Sequence, residues 1–172
     1  MNIALFGFMG VGKSSVGRLL AERMGLTFVD IDEEIVKRTG MAISSIFEEE
    51  GEARFREIER GVTGEIAGLD GRVIACGGGT VLDPNNLAAL RSGSMMVLLT
   101  AGIETIISRV EDEGGSRPLL EVEDRRRRIE ALIRKRHPAY IEAADLIVDT
   151  TGEGPEAIAE AIIDHLREVA SA

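Results

Sequence analysis

Apolar and polar positions follow two rhythms along the chain. Short, nearly continuous apolar runs recur at 2–8 (NIALFGF), 27–31 (TFVDI), 72–76 (RVIAC), 94–100 (SMMVLLT) and 145–150 (DLIVDT). Between them lie longer stretches in which apolar residues return every three to four positions. The first rhythm predicts strands apolar on both faces, and the second predicts amphipathic helices. The helix predicted over 14–25 carries Val16, Leu19 and Leu20 on one side and stops at Gly25. The next, 32–40, has acids in its first turn, Lys37 and Arg38 in its last and Gly40 behind it, as the helix dipole and capping rules prefer. Residues 42–69 read as helical with breaks near Gly51 and Gly61. Asp83-Pro84 opens a helix over 83–93, another covers 103–114, one over 124–137 is ended by Pro138, and the last spans 155–170. Strands alternating with helices imply an α/β fold with a parallel sheet covered on both sides. In such folds ligands sit at the carboxyl ends of strands, so functional residues should follow the apolar runs.

Composition narrows the function classes. A chain of 172 residues suits one well-cored domain. A net charge of −10 argues against binding a phosphate backbone, and 3% aromatics without Trp argues against stacking on single strands. No nucleic-acid partner is expected. Cys76 is the single cysteine, so no internal disulfide can form and a reducing compartment fits. The N-terminus lacks a basic leader, and no segment is apolar enough to span a bilayer. The expectation is a cytoplasmic protein without a membrane partner, acting as a monomer.

The first apolar run leads into "GFMGVGKSS", which fits G-x-x-x-x-G-K-S/T with Gly7, Gly12, Lys13 and Ser14. Glycines let backbone N–H groups wrap a phosphate, and the helix that follows adds positive potential. Lys13 would reach the β/γ-phosphates and Ser14 would ligate magnesium. A glycine turn with a surface lysine is the plainer reading, but the motif lies between a strand and a helix, where a phosphate loop must be. The chain has no Asn-Lys pair for guanine and no glutamine to orient water, so a switch GTPase is disfavoured. A small-molecule kinase or a non-switch ATPase remains.

The second run ends in Asp30 and Asp32. Two apart in a strand, they would share a face toward the γ-phosphate, one supporting magnesium and one orienting an acceptor hydroxyl. Asp32 could instead simply cap the next helix. The third run ends in Gly77, Gly78 and Gly79, which suit a second phosphate loop, a plain turn, or a place where a ligand lies on bare backbone. No lysine follows them, which disfavours the first. Cys76 reads as a small core residue, and His137 and His165 as bystanders.

"GFMGVGKSS", "FVDIDEEI", "IFEEEGEARFREIE", "CGGGTV", "SRPLL" and "RKRHPAY" resemble, in order and spacing, the bacterial shikimate kinases, over essentially the whole chain. The resemblance implies a single domain, 1–172, with a three-layer P-loop kinase fold and a five-stranded parallel sheet. It implies a helical substrate-binding region over about 32–61 and a mobile lid over about 111–123. The implied reaction moves the γ-phosphate of MgATP to the 3-hydroxyl of shikimate. ATP would lie on Gly10, Val11, Gly12, Lys13, Ser14 and Ser15, with Arg109 near adenine and Arg117 reaching the phosphates from the lid. Ser14 and Asp30 would serve Mg2+. Asp32 would hold the acceptor hydroxyls, and Lys13, Asp32 and Arg117 would be catalytic. Arg56 and Arg136 would bind the carboxylate, with Gly77 to Gly79 lining the substrate and Gly78 as the backbone contact. Planar, permanently charged guanidinium groups suit a carboxylate. By spacing alone, Arg56 could pair with Glu52 or Glu59, and Arg136 sits near the solvated run Arg125 to Arg128. Glu153 stands where relatives carry a polar or basic residue near adenine. A kinase for gluconate or aminoshikimate, or a P-loop protein without turnover, are the alternatives.

Overall fold

The computed structural model of the chain describes residues 1–112 and 122–172. Its five strands are β1 (Asn2–Phe6), β2 (Thr27–Asp30), β3 (Arg72–Ala75), β4 (Ser94–Thr100) and β5 (Leu146–Asp149). They pair in parallel throughout, in the order β2-β3-β1-β4-β5. Every residue of β1 is buried, because β1 is central and covered on both faces. Alternation along it feeds two separate cores. Ala4 and Phe6 join Ile74, Met96 and Leu98 on one face, and Ile3 and Leu5 join Val73, Val97 and Leu99 on the other.

Helices α1 (Lys13–Met24) and α8 (Pro155–Ser171) close the second face through Val16, Leu20, Ile158 and Ile162. Helices α2 (Ile31–Thr39), α3 (Ile43–Glu50), α4 (Glu52–Ala67) and α5 (Pro84–Arg91) close the first through Ile35, Ile46, Phe55, Val62 and Leu90. Helix α6 (Ile103–Asp112) gives Ile106 to the second core. Helix α7 (Val122–Ala143) serves both, with Ile129 in one and Tyr140 and Ala143 in the other. The stops at Gly25 and Gly40 are left-handed C-caps, as predicted.

Three local expectations are corrected. Gly61 does not break α4, because Val62, Thr63 and Ile66 beyond it are buried and packing outweighs the propensity cost. Gly51 does separate α3 from α4. Pro138 lies inside α7 rather than ending it. It removes one N–H, but the burial of Tyr140 and Ala143 holds the following turn. Finally, β2 ends at Asp30, so Asp32 sits in the first turn of α2 and not on a shared strand face. Asp30, not Asp32, is the cap: its carboxylate accepts from the N–H groups of Asp32 and Glu33.

Candidate active site

The carboxyl ends of β1, β2 and β3 meet around the loop between β1 and α1. That loop needs its glycines. Gly10 and Gly12 have φ of 77° and 93°, left-handed values costly for other residues. A Cβ on Gly7 would lie 2.3 Å from the Leu99 carbonyl oxygen. Gly12 also caps α1 without a side chain, leaving the first-turn N–H groups open to an anion. Lys13 crosses the loop, donating to the Gly7 and Phe8 carbonyls at 2.8 and 3.0 Å. Burial lowers its pKa to about 8, against the pull of Asp32 and Asp30. A phosphate arriving in the loop would supply the missing negative charge.

Asp30 does two jobs. One oxygen caps α2 and the other accepts from the Ser14 hydroxyl at 2.9 Å. This places two hard oxygen donors beside the loop. Asp32, in the first turn of α2, lines the same space. Its pKa is pushed up to about 6, first by burial and then by the charges of Asp30 and Glu59, against Lys13 and Arg56.

An open cavity of 510 Å³ extends from the phosphate loop between α2, α4 and α7. Asp32, Arg56 and Arg136 bring charge to it, and Ile43, Phe47 and Phe55 give it an apolar side. Arg56 pairs with Glu59 at 2.8 Å and, more loosely, with Glu52 at 3.7 Å. The helical ion pairing that the spacing allowed is therefore real, and Arg56 lines the cavity as well. Glu59 is 1% exposed, and its second oxygen accepts from Thr80 at 2.9 Å. The Arg136 guanidinium lies 5.8 Å from the Phe8 ring centre, and its buried Nε has no hydrogen-bond partner among the described residues.

The glycine triplet forms the wall of this cavity. None of its three residues has a positive φ, so left-handed freedom is not the reason for them. Close approach is. A Cβ on Gly77 would come within 3.0 Å of an Asp32 oxygen, one on Gly78 within 2.7 Å of Arg136 Nη1, and one on Gly79 within 2.6 Å of Arg56 Nη2. Each glycine makes room for a different charged group. Cys76 also lines the cavity, but burial raises its pKa far above the thiol range, so it is no nucleophile.

A second cavity of 290 Å³ lies on the other side of the same loop. Gly10, Gly12 and Ser15 line both cavities, and Val11, Arg109, Glu153 and Pro155 line this one alone. Arg109 donates to the Gly10 carbonyl, the Thr150 hydroxyl and the Thr150 carbonyl, each at 3.1 Å. It thereby ties the phosphate loop to the end of β5. Arg117 and the middle of the predicted lid lie outside the described residues.

The family model described as shikimate kinase matches residues 9–167. The chain belongs to the shikimate kinase family. A shikimate kinase of Thermodesulfovibrio yellowstonii is 45% identical over 170 residues, which cover 99% of this chain and 97% of that one. One from Geobacter sulfurreducens is 44% identical, covering 97% and 91%. The solved shikimate kinase of Acinetobacter baumannii, in complex with shikimate, aligns with a TM-score of 0.89 at 36% identity, covering 97% of this chain and 93% of that one. The expected α/β fold with its five-stranded parallel sheet is thus the fold of the family. Shikimate kinases are ATP-dependent kinases acting on an alcohol group, with ATP as co-substrate.

The sequence motifs converge in space. Asp32, Arg56, Arg136 and the triplet come from four separate segments to one cavity, and Lys13, Ser14 and Asp30 meet beside it. Sequence reading missed two residues. Glu59 entered only as a surface-type partner of Arg56, yet it is buried and anchors that arginine. Tyr140 entered only as the last letter of "RKRHPAY" and was given no role, although it follows Arg136 by four residues on one helix, a spacing that could have exposed it. Among the described residues, no helix is long and apolar enough to cross a membrane.

Proposed function

We propose that the chain transfers the γ-phosphoryl group of MgATP to the 3-hydroxyl of shikimate, giving shikimate 3-phosphate and ADP. The observation that carries this is the convergence of Arg56, Arg136 and Asp32 on a glycine wall, in a cavity that the phosphate loop also lines. Two guanidinium forks suit the carboxylate of a small acid. Asp32, nearer the loop, accepts the hydrogen of the attacking hydroxyl. A bond forms from that oxygen to the γ-phosphorus, the bond to the β-phosphate bridging oxygen breaks, and the hydroxyl proton leaves toward Asp32 or water. Lys13 and the first-turn N–H groups of α1 balance the phosphate charge.

Magnesium fits the oxygen pair of Ser14 and Asp30, which are 2.9 Å apart and of the hard donor type the ion prefers. Among the described residues no larger group of acidic, His or Cys side chains forms a metal cage. That suits an ion completed by phosphates and water. The bound ion would neutralise charge developing on the phosphates. The 290 Å³ cavity takes the nucleoside, with Arg109 along it. Helices α2 to α4 serve the acceptor, and the cytoplasm is the proposed compartment.

A coupled ADP-release assay tests the proposal. Turnover is expected with shikimate and MgATP, with little on gluconate and near-complete loss in Lys13→Ala. Equal ADP release with and without shikimate would make the protein an ATPase instead.

A further inference from the structure

Arg109 is held in place by a residue outside the cavity that it lines. Thr150 directly follows β5 and is fully buried. Its N–H and its hydroxyl both donate to the Thr100 carbonyl, at 2.7 and 3.0 Å, which pins it to the end of β4. Its two acceptor oxygens serve Arg109. The hydroxyl oxygen accepts from Nη1 and the carbonyl from Nη2, each at 3.1 Å. The same carbonyl accepts from the Glu153 N–H at 3.3 Å, closing the turn that leads to Pro155. Among the described residues that line the 290 Å³ cavity are Arg109, Glu153 and Pro155, but not Thr150. The Thr150 hydroxyl therefore reaches that cavity through Arg109.

This seat decides where the guanidinium lies. Nη1 carries two hydrogens, and its second acceptor is the Gly10 carbonyl of the phosphate loop, at 3.1 Å. The loop already presses on α6 there: a Cβ on Gly10 would lie 3.2 Å from the Ile106 carbonyl oxygen. All three acceptors of Arg109 are neutral, so its charge is oriented without being cancelled. A long side chain loses rotamer freedom when a ligand orders it. Arg109 has lost that freedom beforehand, because Thr150 is fixed to the sheet.

We propose that Thr150 is a positioning residue for the nucleotide: its hydroxyl sets Arg109 against the Gly10 carbonyl, so that the guanidinium and the phosphate loop are in place before ATP arrives. The inference rests on the proposed role of the 290 Å³ cavity as the nucleoside site.

Thr150→Val keeps the branched side chain and removes the hydroxyl. The ATP KM should rise about tenfold, the scale of one hydrogen bond to a charged group, with the shikimate KM unchanged. Thr150→Ser keeps the hydroxyl and should restore an ATP KM close to the parent's. Arg109→Ala should also raise the ATP KM, and Thr150→Val should add nothing in that background, because its effect runs through Arg109. A merely structural role would persist there. The inference is overturned, with the kinase reading left standing, by a parent-like ATP KM in Thr150→Val, by equal rises in both KM values, by equal losses in the Ser and Val variants, by additive effects in the double variant, or by a Val variant that does not fold. A parent-like ATP KM in Arg109→Ala would take the nucleoside away from this cavity and overturn the inference with it. If the parent shows no shikimate-dependent turnover, the kinase reading fails alone, and the Kd of a non-hydrolysable ATP analogue decides the role of Thr150 in the same four variants.

Discussion

At the scale of single residues, the role proposed for Asp32 sets activity against stability. Its ordinary pKa is 3.8 and its folded value about 6. Between those values the folded chain keeps a proton that the unfolded chain has released. Stability contributed by the protonated form is therefore present below about pH 4 and lost as the pH rises through 6. At neutral pH the ionised carboxylate is a net cost. A shift of about two units corresponds to ~3 kcal/mol as an upper scale. Asp32→Asn should then unfold at a higher temperature than the parent at pH 8 and show no such gain at pH 4. Its turnover should fall by about a hundredfold or more, as for a lost acid–base or orienting group. Thermal unfolding at the two pH values, beside the ADP assay, checks both. In the parent, kcat/KM for shikimate should climb to a plateau as the pH passes about 6. A flat profile from pH 5 to 8 would mean that Asp32 does not control the rate. The identity of this residue was legible from its place after an apolar run. Its environment was legible only in part: the charge of Asp30 is two positions away, but the burial depends on the fold and the Glu59 charge comes from α4, twenty-seven positions away.

At the scale of elements, the turn after β3 makes the sharpest claim. Sequence alone left the triplet between a bare wall and a plain turn. The choice needed the positions of α2, α4 and α7, each of which sends one charged side chain over one glycine. Alanine substitutions should therefore separate by function. Gly77→Ala presses on Asp32 and should mainly lower kcat. Gly79→Ala presses on both terminal nitrogens of Arg56, which Glu59 holds in place, and should mainly raise the shikimate KM, about tenfold or more. Steady-state kinetics on the two variants decides it, and identical patterns would reduce the triplet to a turn. Helix α7 shows where reading by element fails. Pro138 is a strong local stop signal, but Tyr140 and Ala143 beyond it are buried against β1 and β4, and the core holds the last turn in helical form. Local rules predicted the starts and stops that rest on local bonds, such as Gly25, Gly40 and Asp83. They failed at Gly61 and Pro138, where long-range packing decides.

At the scale of the whole molecule, the sheet order explains why two ligands can meet. β1 and β3 are neighbours, but the chain leaves β1 toward β2 at one edge and leaves β3 toward β4 on the other side of β1, so a crevice opens at their carboxyl ends. The phosphate loop fills the crevice, with the 510 Å³ cavity, proposed for the acceptor, on one side and the 290 Å³ cavity, proposed for the nucleoside, on the other. Gly10, Gly12 and Ser15 line both, so in the proposed reaction the transferable phosphate would lie at their boundary. In the proposed reading the two ligands use different side chains, Arg56 and Arg136 against Arg109, and they should then stabilise the fold independently. Each ligand at a hundred times its dissociation constant contributes about 2.7 kcal/mol, so the pair should contribute about 5.4 kcal/mol. Thermal unfolding with shikimate, with a non-hydrolysable ATP analogue and with both should give three ascending midpoints, the last close to the sum. Arg136→Ala should abolish the shikimate step and keep the nucleotide step. A nucleotide-binding protein without an acceptor would show the second step only. Loss of the nucleotide step in Arg136→Ala would show that this arginine belongs to the phosphates rather than to the acid.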